Sequence, residues 1–176
     1  KESKLRQMAS GAVYRDDRSV LELHDEKMQA LESIIAEAGG MPVLCAYHFV
    51  HEKERILRRI RGSVDLATAD GFKQFLRGES PCGVAHPKSM GHGIDGLQNV
   101  TNILVRFAHD WNNGERMQML ERIGPMRQFQ SGFKRPVLVY DIVAGASLDD
   151  EIIEACGNKR TRQEQLLQAM KRELLS

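Results

Sequence analysis

At 176 residues, with 41% hydrophobic and 28% charged residues, the chain has the length and composition of one globular domain with a buried core. It shows no apolar run of membrane-spanning length and no secretory h-region at its start, and a formal net charge of +1 gives no overall bias toward polyanions. Cys45, Cys82 and Cys156 are scattered without C-x-x-C spacing, which predicts reduced thiols and a cytoplasmic protein.

In chain order, "GAVYRDDRSVLELH" has two β-prone pieces around a polar "RDDR" and predicts a hairpin. A helix follows from about Asp25, with Met28, Leu31, Ile34, Ile35 and Ala38 on one face, and "GG" stops it. "MPVLCAYHF" is a continuous apolar run that predicts a buried strand. The next helix, "HEKERILRRI", is expected to turn Ile56, Leu57 and Ile60 inward and its arginines outward. That basic face is either a solvated surface or a track for DNA or a partner domain. "GSVDLAT" predicts a short strand and "GFKQFLRG" a short helix. "PCGVAH", "NILVRF" and "PVLVYDIVA" predict three further strands, each bounded by turn residues. Ser147 with Asp150, and Thr161 with Glu164, have the capping-box spacing that starts a helix, and the last helix carries Leu166, Leu167, Met170 and Leu174. Strands alternating with helices predict a doubly wound parallel α/β sheet with helices on both faces.

Gly91, Gly93 and Gly96 spell G-x-G-x-x-G. In a dinucleotide-binding unit those glycines open a full crossover helix and belong to the first βα unit. Here only "LQNVT" separates Gly96 from the next strand, and the motif lies past the middle of the chain. The spacing therefore points away from a nicotinamide oxidoreductase. It fits a plain tight turn, or a glycine-rich loop whose backbone approaches a nucleotide or nucleic-acid phosphate, with Ser89 and Asp95 supplying polar groups. The histidines His48, His51, His86, His92 and His109 have no acidic or cysteine companions at metal-ligand spacing, so no metal site is expected.

"GGMPVLCAYHF", "SMGHGIDGLQNVTNILVRF", "FAHDWN", "QMLERIGPMRQ" and "RPVLVYDIVAGASLDDEI" occur in that order. Together they resemble motifs IV, V, the Trp-Asn segment, motif VI and the closing strand and helix of the second RecA-like domain of superfamily-two helicases. The likeness is to the Swi/Snf-related branch found in phages and prophages. It runs from Val43 to the C-terminus, and the hairpin resembles the lead-in of the phage members. The resemblance implies a lead-in over 1–40 packed on a RecA-like (P-loop NTPase-like) domain over 41–176. The remodelling ATPases read Q-x-x-x-R-x-x-R-x-G-Q in motif VI, and this chain has Pro125 at the second arginine position.

The resemblance further implies half of a composite ATPase site. Arg122 matches the first motif VI arginine and is the first choice for an arginine finger, with Arg127 second. Gly91, Gly93, Asp95 and Gln118 would approach the nucleotide, and Lys88, Ser89 and His92 would contact nucleic acid. ATP and Mg²⁺ would serve the intact protein, with Mg²⁺ held by an N-terminal RecA-like domain of the same polypeptide. DNA, in duplex form, is the expected partner. No G-x-x-x-x-G-K-[ST] loop and no D-E-x-x motif occur in this chain, and its first residue is Lys1. It is thus expected to be part of a longer protein and to hydrolyse no ATP alone. The alternative is a noncatalytic α/β module that binds nucleic acid or a protein.

Overall fold

The structure, a computed structural model, describes residues 2–90, 95–145 and 147–158. The chain opens with helix α1 (Glu2–Ala9), followed by strands β1 (Ala12–Tyr14) and β2 (Val20–Glu22), which pair antiparallel in the predicted hairpin. Asp17 makes the turn: its carboxylate accepts from both the amide and the hydroxyl of Ser19. Helix α2 (Glu26–Glu37) then presents Met28 and Leu31 to the core and ends before Gly39 and Gly40, as its periodicity predicts.

The remaining elements alternate. They are β3 (Val43–Ala46), α3 (Val50–Arg59), β4 (Val64–Asp65), α4 (Ala69–Leu76), β5 (Cys82–Ala85), a 3₁₀ turn at Pro87–Met90, and the single helical turn α5 (Leu97–Val100). After them come β6 (Ile103–Arg106), α6 (Asn113–Ile123), α7 (Pro125–Gln130), β7 (Leu138–Asp141) and α8 (148–158). The five strands β3–β7 form one sheet in the order β4-β5-β3-β6-β7, with every neighbouring pair parallel. All four residues of β3 are buried, as the apolar run requires of a strand covered on both faces. Val43 and Cys45 point into a core layer with Met28, Leu31 and Ile56. Leu44 and Ala46 point into the opposite layer, with Phe75, Leu97, Met119 and Ile123. The three cysteines are free and buried.

α3 departs from expectation. Arg58 is exposed, but Arg55 is 3% exposed and faces the lead-in. Its Nη1 donates to Ser10 O and its Nη2 to His24 O, both at 2.8 Å, and Nη2 also reaches Asp25 at 3.1 Å. The neighbouring arginines are taken up as well, Arg58 by Glu22 and Arg59 by Asp25 and Glu32. The basic face thus meets the acids of β2, α2 and their connection. A helical-face count sorts residues by polarity, and it cannot foresee that a guanidinium is buried when carbonyls and carboxylates complete its shell. Gly11, at φ 86°, makes this possible: a Cβ there would meet His24 O at 2.3 Å and the Arg55 guanidinium at 3.2 Å.

α8 starts where the capping spacing places it, with the Ser147 hydroxyl accepting from Asp149 N. The proposed cap at Thr161–Glu164 and the apolar face Leu166 to Leu174 lie outside the described residues. No helix among the described residues is long and apolar enough to cross a membrane. A buried ion pair joins α2 to α8: Lys27 Nζ lies 2.5 Å from Asp149 Oδ2, with both side chains no more than 3% exposed. Phe107 O and the amide of Ala144 complete their shells. Lys27→Met should therefore lower the unfolding free energy by about 3–5 kcal/mol, because it strands Asp149. Lys27→Met with Asp149→Leu should recover most of that loss in the same urea titration.

Candidate functional site

β5 lies beside β3 on one side, and β6 lies beside β3 on the other. The connection from β5 to β6 therefore leaves the carboxyl end of β5, the edge where open α/β sheets build ligand sites, and passes over β3 to the amino end of β6. It consists of His86, the 3₁₀ turn, the glycine loop and α5. α5 is one turn long, which confirms that no crossover helix follows these glycines and leaves no dinucleotide-binding unit. Gly96 takes φ 92°, the left-handed conformation that turns the chain out of the loop into α5.

α6 begins at a reciprocal cap: Asn112 Oδ1 accepts from Glu115 N, and Asn112 Nδ2 donates to the Glu115 carboxylate. It packs along the 3₁₀ turn and carries Arg122 in its last turn. Gly124 ends α6, and Pro125, with no amide hydrogen to lose, starts α7. The two arginines of this corner then hold the two ends of the glycine loop. Arg122 Nε donates to Met90 O at 2.8 Å, and Arg127 Nη1 donates to Asp95 Oδ1 at 2.6 Å. The Asp95 carboxyl is held below the usual carboxylate range, first by the Gly96 amide, then by Gln98 and Arg127. The stretch thus divides at Pro125 into two short helices, and Arg127 on the second reaches Asp95.

Lys88 and Ser89 are exposed on the 3₁₀ turn, where the Ser89 hydroxyl donates to His86 O at 2.7 Å. Gln118 is exposed one turn before Arg122 on α6. Gly91, His92 and Gly93 lie outside the described residues. Among the described residues, no group of three or more His, Cys, Asp or Glu side chains is placed to hold a metal ion.

Gln128 closes the stretch "QMLERIGPMRQ", where the resembled pattern also ends in glutamine, but the sequence assigns it no role. It is 1% exposed, donates to Thr101 O and Ile123 O, and accepts from Arg135. Arg135 in turn reaches Gln98 O, so this pair braces α7 against α5 and fixes the corner that carries Arg127. The pattern marks the position, but nothing local in the sequence shows that this glutamine is buried.

His109 sits behind the site, fully buried. Its Nε2 contacts Ile142 O at 3.0 Å and so carries the proton, leaving Nδ1 to accept from Arg116. Burial first, then the charge of Lys27, pushes its pKa to about 4, so its 3.6 Å approach to Asp141 is no ion pair at neutral pH. His51 is 1% exposed between Tyr14 and Phe49, and burial, then Arg55, pushes it to about 4 as well. Both histidines are neutral in the fold and titrate near 6.5 when unfolded, so the unfolded chain binds more protons between these values. Stability should then fall as pH drops from 6.5 to 4, by up to roughly 3 kcal/mol per histidine. Urea midpoints measured across that range should slope less in His51→Phe than in the parent chain.

A parallel sheet of this order, with helices on both faces, is the RecA-like fold found in helicase ATPase domains. The solved structures it resembles include the C-terminal part of the Fun30 ATPase domain (TM-score 0.57, 17% identity, 77% of this chain and 48% of that one). They also include the Sulfolobus solfataricus SWI2/SNF2 ATPase core (0.54, 19%, 76% and 28%) and the Pyrococcus furiosus Hef helicase domain (0.53, 16%, 73% and 27%). At these identities the likeness establishes the fold, that of a helicase-like domain. In sequence, the chain is 47% identical over 172 residues to putative protein p41 of Acyrthosiphon pisum secondary endosymbiont phage 1. That alignment covers 97% of this chain, which spans 37% of the phage protein's length. No family model matches the chain.

Proposed function

We propose that this chain is the C-terminal motor lobe of an ATP-dependent DNA helicase or duplex DNA translocase. It would work in the cytoplasm and be related to the Swi/Snf-type enzymes of phages. The observation that carries the reading is the grip of Arg122 and Arg127 on the two ends of the glycine loop. A loop that meets a polyanion and a pair of guanidiniums that meet a nucleotide would then share one set of hydrogen bonds. DNA contact and ATP chemistry would be coupled across a few ångströms.

In this reading an N-terminal RecA-like domain of the same polypeptide holds the ATP phosphates and Mg²⁺, which helps neutralise the phosphate charge. This lobe closes over the nucleotide. Arg122 turns its planar, permanently charged fork toward the oxygens that gather charge as the terminal phosphoryl group transfers. Arg127 stands second, in place of the arginine absent at Pro125. Asp95 and Gln118 meet the ribose side, and Gly91 and Gly93 let the backbone come close. Lys88, Ser89 and His92 face the nucleic-acid phosphates.

ATP hydrolysis by the intact protein, measured with and without duplex DNA, tests the proposal. Turnover should rise with DNA, and Arg122→Ala should lower kcat by about 10³-fold or more. Unchanged turnover in that variant would remove Arg122 as the finger. An intact protein with no turnover would instead be the noncatalytic binding module.

A further inference from the structure

A second cationic site lies away from the glycine loop, at the carboxyl ends of β6 and β7. Arg106 ends β6, Asp141 ends β7, and Arg116 approaches from α6. The two arginine side chains are 11% and 10% exposed, and both turn to the single carboxylate of Asp141. Their contacts are stretched: Arg106 Nη1 lies 3.3 and 3.4 Å from the two oxygens, and Arg116 Nη2 lies 3.4 Å from one. Charge-assisted pairs of this kind normally close to about 2.7–2.9 Å. His109, beside Arg116, is neutral and accepts from it. One carboxylate thus faces two guanidiniums in a nearly buried setting, which leaves a net positive charge there. Burial accordingly holds the Arg106 guanidinium below its ordinary pKa.

The uncompensated charge has an outlet. Among the described residues, Arg106 Nε and Nη2 have no acceptor. The Arg106 side chain keeps 11% of its surface exposed. It opens on a cleft of about 300 Å³ between α6, β7 and α8. Arg106, Arg116, Asn113 and the carboxylate of Asp141 line it together with the apolar side chains of Leu120, Val139 and Ile153. Cationic donors beside apolar side chains in one cleft match a ligand that carries an oxyanion on a nonpolar body.

We infer that this cleft binds an oxyanion, carboxylate or phosphate, carried on an apolar body, with Arg106 and Arg116 as its anchors. The bound anion competes with Asp141 for the two guanidiniums. This site shares no residue with the arginine-loop corner and does not depend on the motor reading.

The test is titration of this chain with sodium hexanoate and, separately, with inorganic phosphate. Ionic strength is held constant, and amide chemical shifts at Asn113 and Val139 are followed. At least one probe should saturate, with hexanoate the tighter if the natural group is a carboxylate with an apolar tail and phosphate the tighter if it is a phosphate ester. Arg116→Gln should weaken binding. Asp141→Asn, which removes the competing charge, should strengthen it by about 10-fold or more, a gain that misfolding cannot imitate. If neither probe saturates in the parent chain or in Asp141→Asn, the inference is overturned. It is overturned equally if binding survives Arg116→Gln but disappears in Arg122→Ala. DNA-stimulated ATP turnover reads the other site, so either proposal can fail alone.

Discussion

Strand β3 is paired on both edges, with β5 and β6, and its side chains are sealed on both faces. Parallel neighbours on both edges require crossovers over the sheet, and the chain must change direction where it passes from β5 to β6. That passage is short, with one 3₁₀ turn before the glycine loop and one α-turn after it. α6 packs against the same turn, which brings Arg122 to Met90 O. The location of the candidate site thus follows from how a fully enclosed central strand must be connected.

The lead-in belongs to the same packing problem. Met28 and Leu31 of α2 share a core layer with β3, and two buried cations tie this region to the rest. Arg55 gathers the carbonyls of Ser10 and His24, and Lys27 joins Asp149 across 122 positions of sequence. Buried charges of this kind add little net stability, but they penalise any arrangement that leaves one partner alone. They fix α1, the hairpin and α8 relative to the sheet more tightly than apolar contacts, which tolerate sliding, would do.

Much of this was legible in the sequence because periodicity reports burial. The "VLCA", "CGVA" and "ILVR" runs became strands, the Met28–Leu31 spacing became the buried face of α2, and the brevity of "LQNVT" excluded a crossover helix. The order of the glycine loop and the arginine-rich helix was visible too. What was not legible depends on long-range pairing. Arg55 reads as a surface arginine until Gly11 lets the hairpin backbone close on it. Gln128 and Arg135 brace the corner through contacts with Thr101 and Gln98 that no local pattern encodes. The departure at Pro125 was plain, but its effect required the structure: the break into α7 carries Arg127 back to Asp95.

The central claim is that Arg122 exchanges the Met90 carbonyl for a nucleotide phosphate. A structure of the intact protein bound to Mg²⁺ and a non-hydrolysable ATP analogue tests it most directly. The account predicts the Arg122 guanidinium within hydrogen-bond reach of the terminal phosphate, about 3 Å, with its bond to Met90 O released. An Arg122 still seated on Met90 O, with the analogue bound and the lobes closed, would contradict it.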